Sequence, residues 1–221
     1  MNKVTLICTT WNPKPELLNK MLQSARGFDE IVLHIDIETK EYPHIDVTKL
    51  HCPLRIEDHI EHLDVGQAYN MLIERTKTEW VCCMCDDDYF DQGELKAALD
   101  LINTCDESVD VIHFPVHVFG DVSYHRWGSS EVLMDAMKKG NQIPAGAFFR
   151  KSAWEKSGGF AGEVYHDWIL WLKMLKAGCS FKYFDGCVYW FQVRPGSAAA
   201  RQVAGLKDEK PLDHVLRLAD V

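Results

Sequence analysis

The sequence predicts an α/β fold with a mostly parallel central sheet and helices on both faces. In the first half, almost continuously apolar strands alternate with amphipathic helices, the pattern of a parallel sheet covered on both sides. The length of 221 residues suits one compact domain with a smaller annex rather than two full domains. With 47% hydrophobic and 26% charged residues, the composition is globular and excludes a disordered chain.

Each element of residues 1–115 follows from apolar spacing. Strands are predicted at Val4–Cys8, Glu30–Asp36, Leu54–Ile56, Glu79–Cys85 and Val109–Phe114. Helical spacing predicts three helices, whose apolar positions are Leu17, Leu18, Met21, Leu22 and Ala25, then Val65, Ala68, Tyr69, Leu72 and Ile73, then Leu95, Ala98, Leu99 and Ile102. The stretch from Thr39 to His51 has no clear period and is expected to be a loop.

Residues 116–221 predict a less regular second half within the same domain, 1–221. We expect a hairpin or loop at His117–Trp127, a helix or lid at Glu131–Lys139, strands at Ala145–Arg150, Phe181–Phe184 and Val188–Gln192, and helices at Ser152–Ser157, His166–Lys176 and near Leu212–Leu218. The residues from Pro195 onward are rich in glycine, alanine and charge, which predicts a mobile segment before the last helix.

Charge and cysteine content exclude several classes. The 33 acidic and 24 basic residues give a net charge of −9, which disfavours binding driven by nucleic-acid phosphates. No apolar run approaches the roughly 18 residues that span a bilayer, and MNKVTLICTTWNP is typical of a strand rather than a signal peptide. We expect a cytoplasmic protein, with peripheral membrane attachment left open. The eight cysteines form no C-x-x-C pair, which favours small buried residues over a metal or redox site.

Carboxylates follow two of the predicted strands. Asp86, Asp87 and Asp88 come directly after the strand that ends at Cys85, and ligands of open α/β sheets bind beyond the carboxyl ends of strands. A shared divalent cation would offset their mutual repulsion, and hard oxygen ligands suit Mg²⁺ or Mn²⁺. A solvated acidic turn before the next helix is the alternative. Asp36 ends the second strand, where it either binds part of a nucleotide or starts a turn.

Four blocks of sequence occur in a fixed order. They are VTLICTTWNPKPELLNKMLQS, EIVLHID, VGQAYNMLIERTKTEWVCCMCDDDYF and GAFFRKSAWEKSGGFAGEVYHDWILWLKMLKAG. Together they resemble the GT-A glycosyltransferases, in particular the family 2 group of inverting enzymes, over most of the chain. The third block is similar to the segment that leads to the family's D-x-D motif, and the fourth to its acceptor-side segment. The resemblance implies a Rossmann-like GT-A fold.

The resemblance implies that residues 1–115 bind a nucleotide-diphosphate sugar, with UDP the expected nucleotide by analogy. Thr9 and Trp11 would line the base pocket, and Asn12 would support their loop. Asp36 would accept a hydrogen bond from the base.

Further donor contacts are implied on the next helix and in the acidic motif. Gly66 and Asn70, one helical turn apart, would border the nucleotide. Asp86 would contact the ribose, and Asp88 would bind the Mn²⁺ or Mg²⁺ that bridges the diphosphate. Because all three positions are aspartate, Asp87 is the reserve metal ligand.

A basic segment follows the last predicted strand. The resemblance implies that Arg194, Ser197 and Arg201 neutralise the diphosphate once the donor binds, while a solvated basic tail is the alternative. The sequence has no Q-x-x-R-W motif and no membrane helix, so we expect transfer of a single sugar rather than processive synthesis.

Asp167 is implied as the catalytic base. An inverting displacement needs one base for the acceptor hydroxyl and one Lewis acid for the leaving phosphate. The alternative role for Asp167 is a stabilising carboxylate at a helix N-terminus. His166 replaces the family's usual acidic residue and either contacts the acceptor or packs. Trp168, with Trp127 and Trp154, either shapes the acceptor site or fills the core.

Two other functions compete. A nucleotidyltransferase would need a glycine-bearing phosphate loop after the first strand, and TTWNPKP contains no glycine. A non-catalytic nucleotide-sugar or carbohydrate-binding module would have no need of Asp167. A metal-dependent glycosyltransferase is therefore favoured, with the acceptor left open among a glycan, a lipid-linked sugar, a protein and a modified nucleic-acid base.

Overall fold

The computed structural model describes residues 4–58, 61–120, 126–162, 164–194 and 211–221. Ser197, Arg201 and the predicted mobile segment lie outside the described residues, as does the side chain of Trp127. Within the described ranges, no helix combines the length and the apolar character needed to cross a membrane.

Strands and helices alternate through the first half as the sequence predicts. The elements are β1 (Val4–Thr10), α1 (Pro15–Ser24), β2 (Glu30–Ile35), β3 (Leu54–Asp58), α2 (Val65–Arg75), β4 (Trp80–Cys83), β5 (Tyr89–Phe90), α3 (Gln92–Ile102), β6 (Val111–His113), β7 (Val116–Gly120), β8 (Arg126–Trp127), α4 (Met134–Met137), β9 (Phe148–Arg150), α5 (Lys151–Ser157), α6 (His166–Lys176), β10 (Phe181–Tyr183), β11 (Tyr189–Val193) and α7 (Pro211–Ala219). The expected loop between β2 and β3 contains one short 3₁₀ turn, Val47–Lys49.

Seven strands form the central sheet in the order β10-β6-β9-β4-β1-β2-β3. All neighbours are parallel except β9, which runs antiparallel to both β4 and β6. The predicted α/β fold with a mostly parallel sheet is therefore confirmed. Strands β9 and β10 come from the second half of the chain, so both halves build this sheet.

Alternating side chains of the strands feed two hydrophobic cores. Leu6 and Cys8 of β1 join a core with α1 and α3, whereas Ile7 joins a core with α2, α5, α6 and α7. Helices therefore cover both faces, as predicted. All eight cysteines are free thiols.

A second sheet of four strands, in the order β5-β11-β7-β8, stands beside the carboxyl end of β4. Strand β5 begins at Tyr89, directly after the acidic motif, and pairs antiparallel with β11. The sequence did not predict β5, because two residues are too few to show a period. This pairing brings β11 next to the three aspartates.

Candidate active site

The carboxyl ends of β1, β2 and β4 meet at one edge of the central sheet and form the floor of a cleft of about 480 Å³. The predicted site residues that line it are Thr9, Trp11, Asp36, Asp86, Asp87, His166, Asp167, Trp168 and Arg194. Among the other described candidates, Asn12, Gly66, Asn70, Asp88 and Trp154 lie outside its lining.

Two carboxylates of the acidic motif face this cleft. Asp86 accepts a hydrogen bond from the hydroxyl of Thr10. Burial nevertheless raises the pKa of Asp86 to about 6, because the charged form loses its hydration. The Oδ2 atom of Asp87 accepts from Nε of Arg194 at 2.9 Å, and the two side chains are only 11% and 22% exposed. A guanidinium is thus the counter-charge of the motif in this structure.

Asp88, the residue predicted to bind the metal, lies behind the cleft and does not line it. Its Oδ2 accepts from the hydroxyl of Tyr189, and its Oδ1 accepts from the backbone N–H of Gln192 at 2.9 Å. The side chain is 1% exposed, and burial, with the nearby charge of Asp87, raises its pKa well above the usual value. Because both oxygens bond to β11, Asp88 fastens the second sheet to the end of β4, and the motif presents Asp86 and Asp87 to a ligand.

The loop after β1 is shaped by Asn12. This residue has a φ of 49°, a left-handed conformation that asparagine tolerates better than most residues. Its Oδ1 accepts from the backbone N–H of Lys40 at 2.8 Å, and its own N–H donates to the hydroxyl of Thr39 at 3.3 Å. These bonds tie the loop to the segment after β2 and leave Trp11 44% exposed at the cleft.

Asp36 is held at the end of β2 by several donors. Its Oδ1 accepts from the backbone N–H of Glu38 at 2.9 Å, and its Oδ2 lies 2.9 Å from Nδ1 of His62. Burial by itself raises the pKa of Asp36, but hydrogen bonds from the Glu38 N–H, His62 and the Leu63 N–H outweigh it, so the pKa is lowered. Ligand atoms of Asp36, Glu38 and His62 lie within 4.8 Å of one another, a second possible cation site.

Gly66 and Asn70 lie on the face of α2 that contacts the loop between α5 and α6. The Oδ1 atom of Asn70 accepts from the Phe160 N–H at 2.8 Å and from Nε1 of Trp154 at 3.0 Å, and its Nδ2 donates to the Phe160 carbonyl at 3.0 Å. A Cβ on Gly66 would lie 2.8 Å from the Gly162 carbonyl. The helix face predicted to border a nucleotide is therefore covered by the loop between α5 and α6.

Asp167 enters the cleft from the first turn of α6. The helix begins after Tyr165, whose φ of 56° is unusual for an aromatic residue and marks a sharp change of chain direction. Asn141 donates a hydrogen bond from Nδ2 to Oδ2 of Asp167 at 2.9 Å. The proposed base thus already has one oxygen bound by a neighbouring amide.

The flanking residues of α6 are packed. The ring of His166 lies 5.5 Å from that of Tyr69 and 5.9 Å from that of Phe160, in addition to lining the cleft. Trp168 is 7% exposed and donates from Nε1 to the Met137 carbonyl at 2.7 Å. His166 and Trp168 therefore pack against neighbouring residues and also line the cleft.

Sequence reasoning missed His62, Asn141, Tyr189 and Gln192. Tyr189 and Gln192 lie within or beside a predicted strand, but their contact with Asp88 depends on a pairing about 100 residues away. His62 and Asn141 lie in loops, where no periodicity marks a residue. The only indication in the sequence is that both side chains are able to donate a hydrogen bond to a carboxylate.

A second cavity, of about 600 Å³, lies at the opposite edge of the central sheet, near the start of β2. Its charged lining residues include Arg55 and Arg75, which pair with Glu30 and Glu57. The charges of these two arginines are thus compensated by the glutamates beside them.

Comparison with known proteins shows which solved structures share this fold. No protein-family model matches the chain, and no curated protein matches it. Among solved structures, S. aureus TarS 1-349 in complex with UDP-GlcNAc matches with a TM-score of 0.73 and 18% identity, over 98% of this chain and 65% of that chain. The chain has a glycosyltransferase fold. The GT-A-like architecture expected from the sequence is therefore confirmed.

Other matched structures agree. The mannosyltransferase PcManGT from Pyrobaculum calidifontis, in complex with GDP-Man and Mn²⁺, gives a TM-score of 0.66 at 16% identity, over all of this chain and 70% of that chain. TarS 1-349 in complex with UDP gives 0.65 at 17% identity, over 98% and 69%. The chain thus spans about two thirds of the TarS 1-349 and PcManGT structures, and 42% of the longer S. aureus TarS structure.

Proposed function

We propose that this protein is a metal-dependent, inverting glycosyltransferase that moves a single sugar from a nucleotide-diphosphate sugar, UDP-linked by expectation, to an acceptor hydroxyl. The observation that carries the proposal is one cleft lined by Asp86, Asp87 and Arg194 and also by Asp167. The structural neighbours were solved with UDP-GlcNAc, or with GDP-Man and Mn²⁺, which supports this choice of ligands.

The base of the nucleotide is assigned to the part of the cleft between β1 and β2. Trp11 offers an exposed indole face for stacking. Asp36 has a lowered pKa, so at neutral pH it is ionised and only accepts hydrogen bonds. A base edge with an N–H group suits such an acceptor; uracil and guanine offer a ring N–H, and cytosine offers only its exocyclic amino group.

The metal is assigned to Asp87, with Asp86 beside it toward the ribose. Their hard oxygen atoms suit Mn²⁺ or Mg²⁺, and the ion pair between Asp87 and the guanidinium of Arg194 supports a place for positive charge beside this carboxylate. When bound, such a metal supplies positive charge against the leaving diphosphate. Asp88 is left with the structural role that its two bonds to β11 give it.

Asp167 is assigned the role of general base. The acceptor oxygen attacks the anomeric carbon while its proton passes to the Asp167 carboxylate. The bond from the anomeric carbon to the diphosphate oxygen breaks, and its electron pair leaves with the diphosphate. A positioned carboxylate contributes about 10²- to 10⁴-fold by such catalysis.

Donor binding is tested by thermal unfolding with UDP, GDP, CDP or TDP, each with and without Mn²⁺. One nucleotide should raise the melting temperature only when Mn²⁺ is present, because a ligand that binds the native state stabilises it. Asp87→Asn should abolish this response, and Glu38→Gln, in the second possible cation site, should retain it. The reverse result would move the metal to that second site, and no metal-dependent response at all would reject the donor site.

The base is tested with Asp167→Asn. This isosteric variant should keep the metal-dependent nucleotide response and lose about 10²-fold or more of turnover. Turnover is measured as nucleotide release from UDP-GlcNAc or GDP-Man with Mn²⁺, with water as the acceptor. Undiminished release would show that Asp167 is not the base.

A further inference from the structure

Asn141 lies in the loop between α4 and β9 and faces the first turn of α6 across the cleft. Its Nδ2 atom is 2.9 Å from Oδ2 of Asp167. Among the residues that the structure describes, no other side chain makes a hydrogen bond to Asp167. One oxygen of this carboxylate is thus bound and the other stays available to a ligand in the cleft.

The orientation of the Asn141 amide is determined by its second contact. The backbone N–H of Ile143 donates to Oδ1 of Asn141 at 3.2 Å. A backbone N–H only donates, so the atom facing it has to be the oxygen, and the amide nitrogen has to face Asp167. The two contacts therefore agree on one assignment of the amide.

The loop that carries Asn141 is fixed on both sides. Met137 and Ile143 are fully buried in the core that contains α6. The Met137 carbonyl also accepts from Nε1 of Trp168, one residue beyond Asp167. Because these contacts anchor the loop to α6 itself, the amide is in place before any ligand arrives.

We propose that Asn141 is a positioning residue for Asp167, an inference that rests on the proposed function of Asp167 as the base. By holding Oδ2, the amide turns Oδ1 toward the acceptor. It also directs the transferred proton to Oδ1, since Oδ2 continues to accept from the amide after the carboxyl is neutral. Small errors in such an orientation are costly, up to about 10²-fold in rate.

Asn141→Ala should lower kcat for nucleotide release by about 10- to 100-fold and leave KM for the donor and the Mn²⁺-dependent nucleotide response unchanged. Asn141→Asp, which has nearly the same shape but no donor, should lose at least as much, and it replaces the alanine variant if that one fails to fold. Ile143→Val perturbs the same loop anchor without touching the amide and should stay within about twofold. Loss in Ile143→Val equal to that in Asn141→Ala would overturn the proposal.

A double-mutant cycle separates positioning from an independent effect. In an Asp167→Asn background, Asn141→Ala should cause no further loss, because the group it acts through is gone. An equal loss in both backgrounds would overturn the proposal. Full activity of Asp167→Asn, or no donor turnover by the unaltered protein, would instead contradict the proposed function.

A direct readout of the contact does not depend on turnover. In ¹H–¹⁵N spectra, the side-chain amide signals of Asn141, identified by their absence in Asn141→Asp, should shift in Asp167→Ala, because the carboxylate that accepts from the amide is removed. Signals that keep their position in Asp167→Ala would show that the amide does not bind Asp167, whatever the activity.

Discussion

Asp86 lies three residues beyond β4 with its carboxylate partly buried at the cleft, and burial raises its pKa to about 6. In the metal-free protein the ionised carboxylate therefore destabilises the folded state near neutral pH. A raised pKa means that the stabilising contribution of the group is complete below its ordinary value of 3.8 and is lost as the pH rises toward 6. A bound cation reverses this preference, because it favours the ionised form.

We expect Mn²⁺ affinity to be constant above about pH 7 and to fall below 6, because a proton on Asp86 removes a negative charge beside the metal ligand Asp87. Calorimetric titration with Mn²⁺ between pH 5 and 8 measures this. Asp86→Asn should bind more weakly at pH 7 and lose the dependence centred near 6. An affinity that is flat down to pH 5 in the unaltered protein would place the cation away from Asp86.

The side chain of Asn70 on α2 makes hydrogen bonds to the loop before α6. Asn70→Ala would leave the Phe160 N–H and the indole N–H of Trp154 without an acceptor, at about 1–3 kcal/mol for each unsatisfied group. We expect unfolding in urea to show a loss of about 2–4 kcal/mol. Asn70→Asp keeps the acceptor oxygen and should lose less. Gln92→Ala, which removes one exposed bond, should lose little, and a similar loss in all three variants would contradict this account.

Close approach of the same loop explains why position 66 is glycine. In Gly66→Ala the new methyl group would lie 2.8 Å from the Gly162 carbonyl, closer than side-chain carbons normally come to backbone. We expect about 1–3 kcal/mol of destabilisation in thermal or urea unfolding. Gly140 is the matched control, because a Cβ there meets nothing within 4 Å. Gly140→Ala should therefore be neutral, and equal losses at both positions would refute the steric explanation.

The order of the elements and the shared face of Gly66 and Asn70 could be predicted from the sequence because both depend on local periodicity. What covers that face could not be predicted, since it is a loop about 90 residues away. The role of Asp88 was equally hidden. Three consecutive aspartates give no indication of which one lies behind the cleft. That position is decided by β11, which pairs beside the motif through a long-range contact and bonds to Asp88.

At the scale of the molecule, the acidic motif is where the two sheets meet. Asp88 receives the bonds from β11 that join them, and Arg194, directly after β11, reaches back to Asp87. The negative charge of the acidic motif is thus balanced in part by an arginine that directly follows β11. A metal at Asp87 and this guanidinium have the same sign and share the same carboxylate, so the two compete for it.

Arg194→Gln should therefore change two affinities in opposite directions. Mn²⁺ alone should bind about 3- to 10-fold more tightly, since the competing guanidinium is gone. UDP in saturating Mn²⁺ should bind more weakly, since the released arginine no longer reaches the diphosphate. Calorimetric titration measures both, with Arg75→Gln as the control because it breaks an arginine–carboxylate pair far from the cleft. If the Mn²⁺ and UDP affinities change in the same direction, or if neither changes, then Arg194 only holds β11 in place.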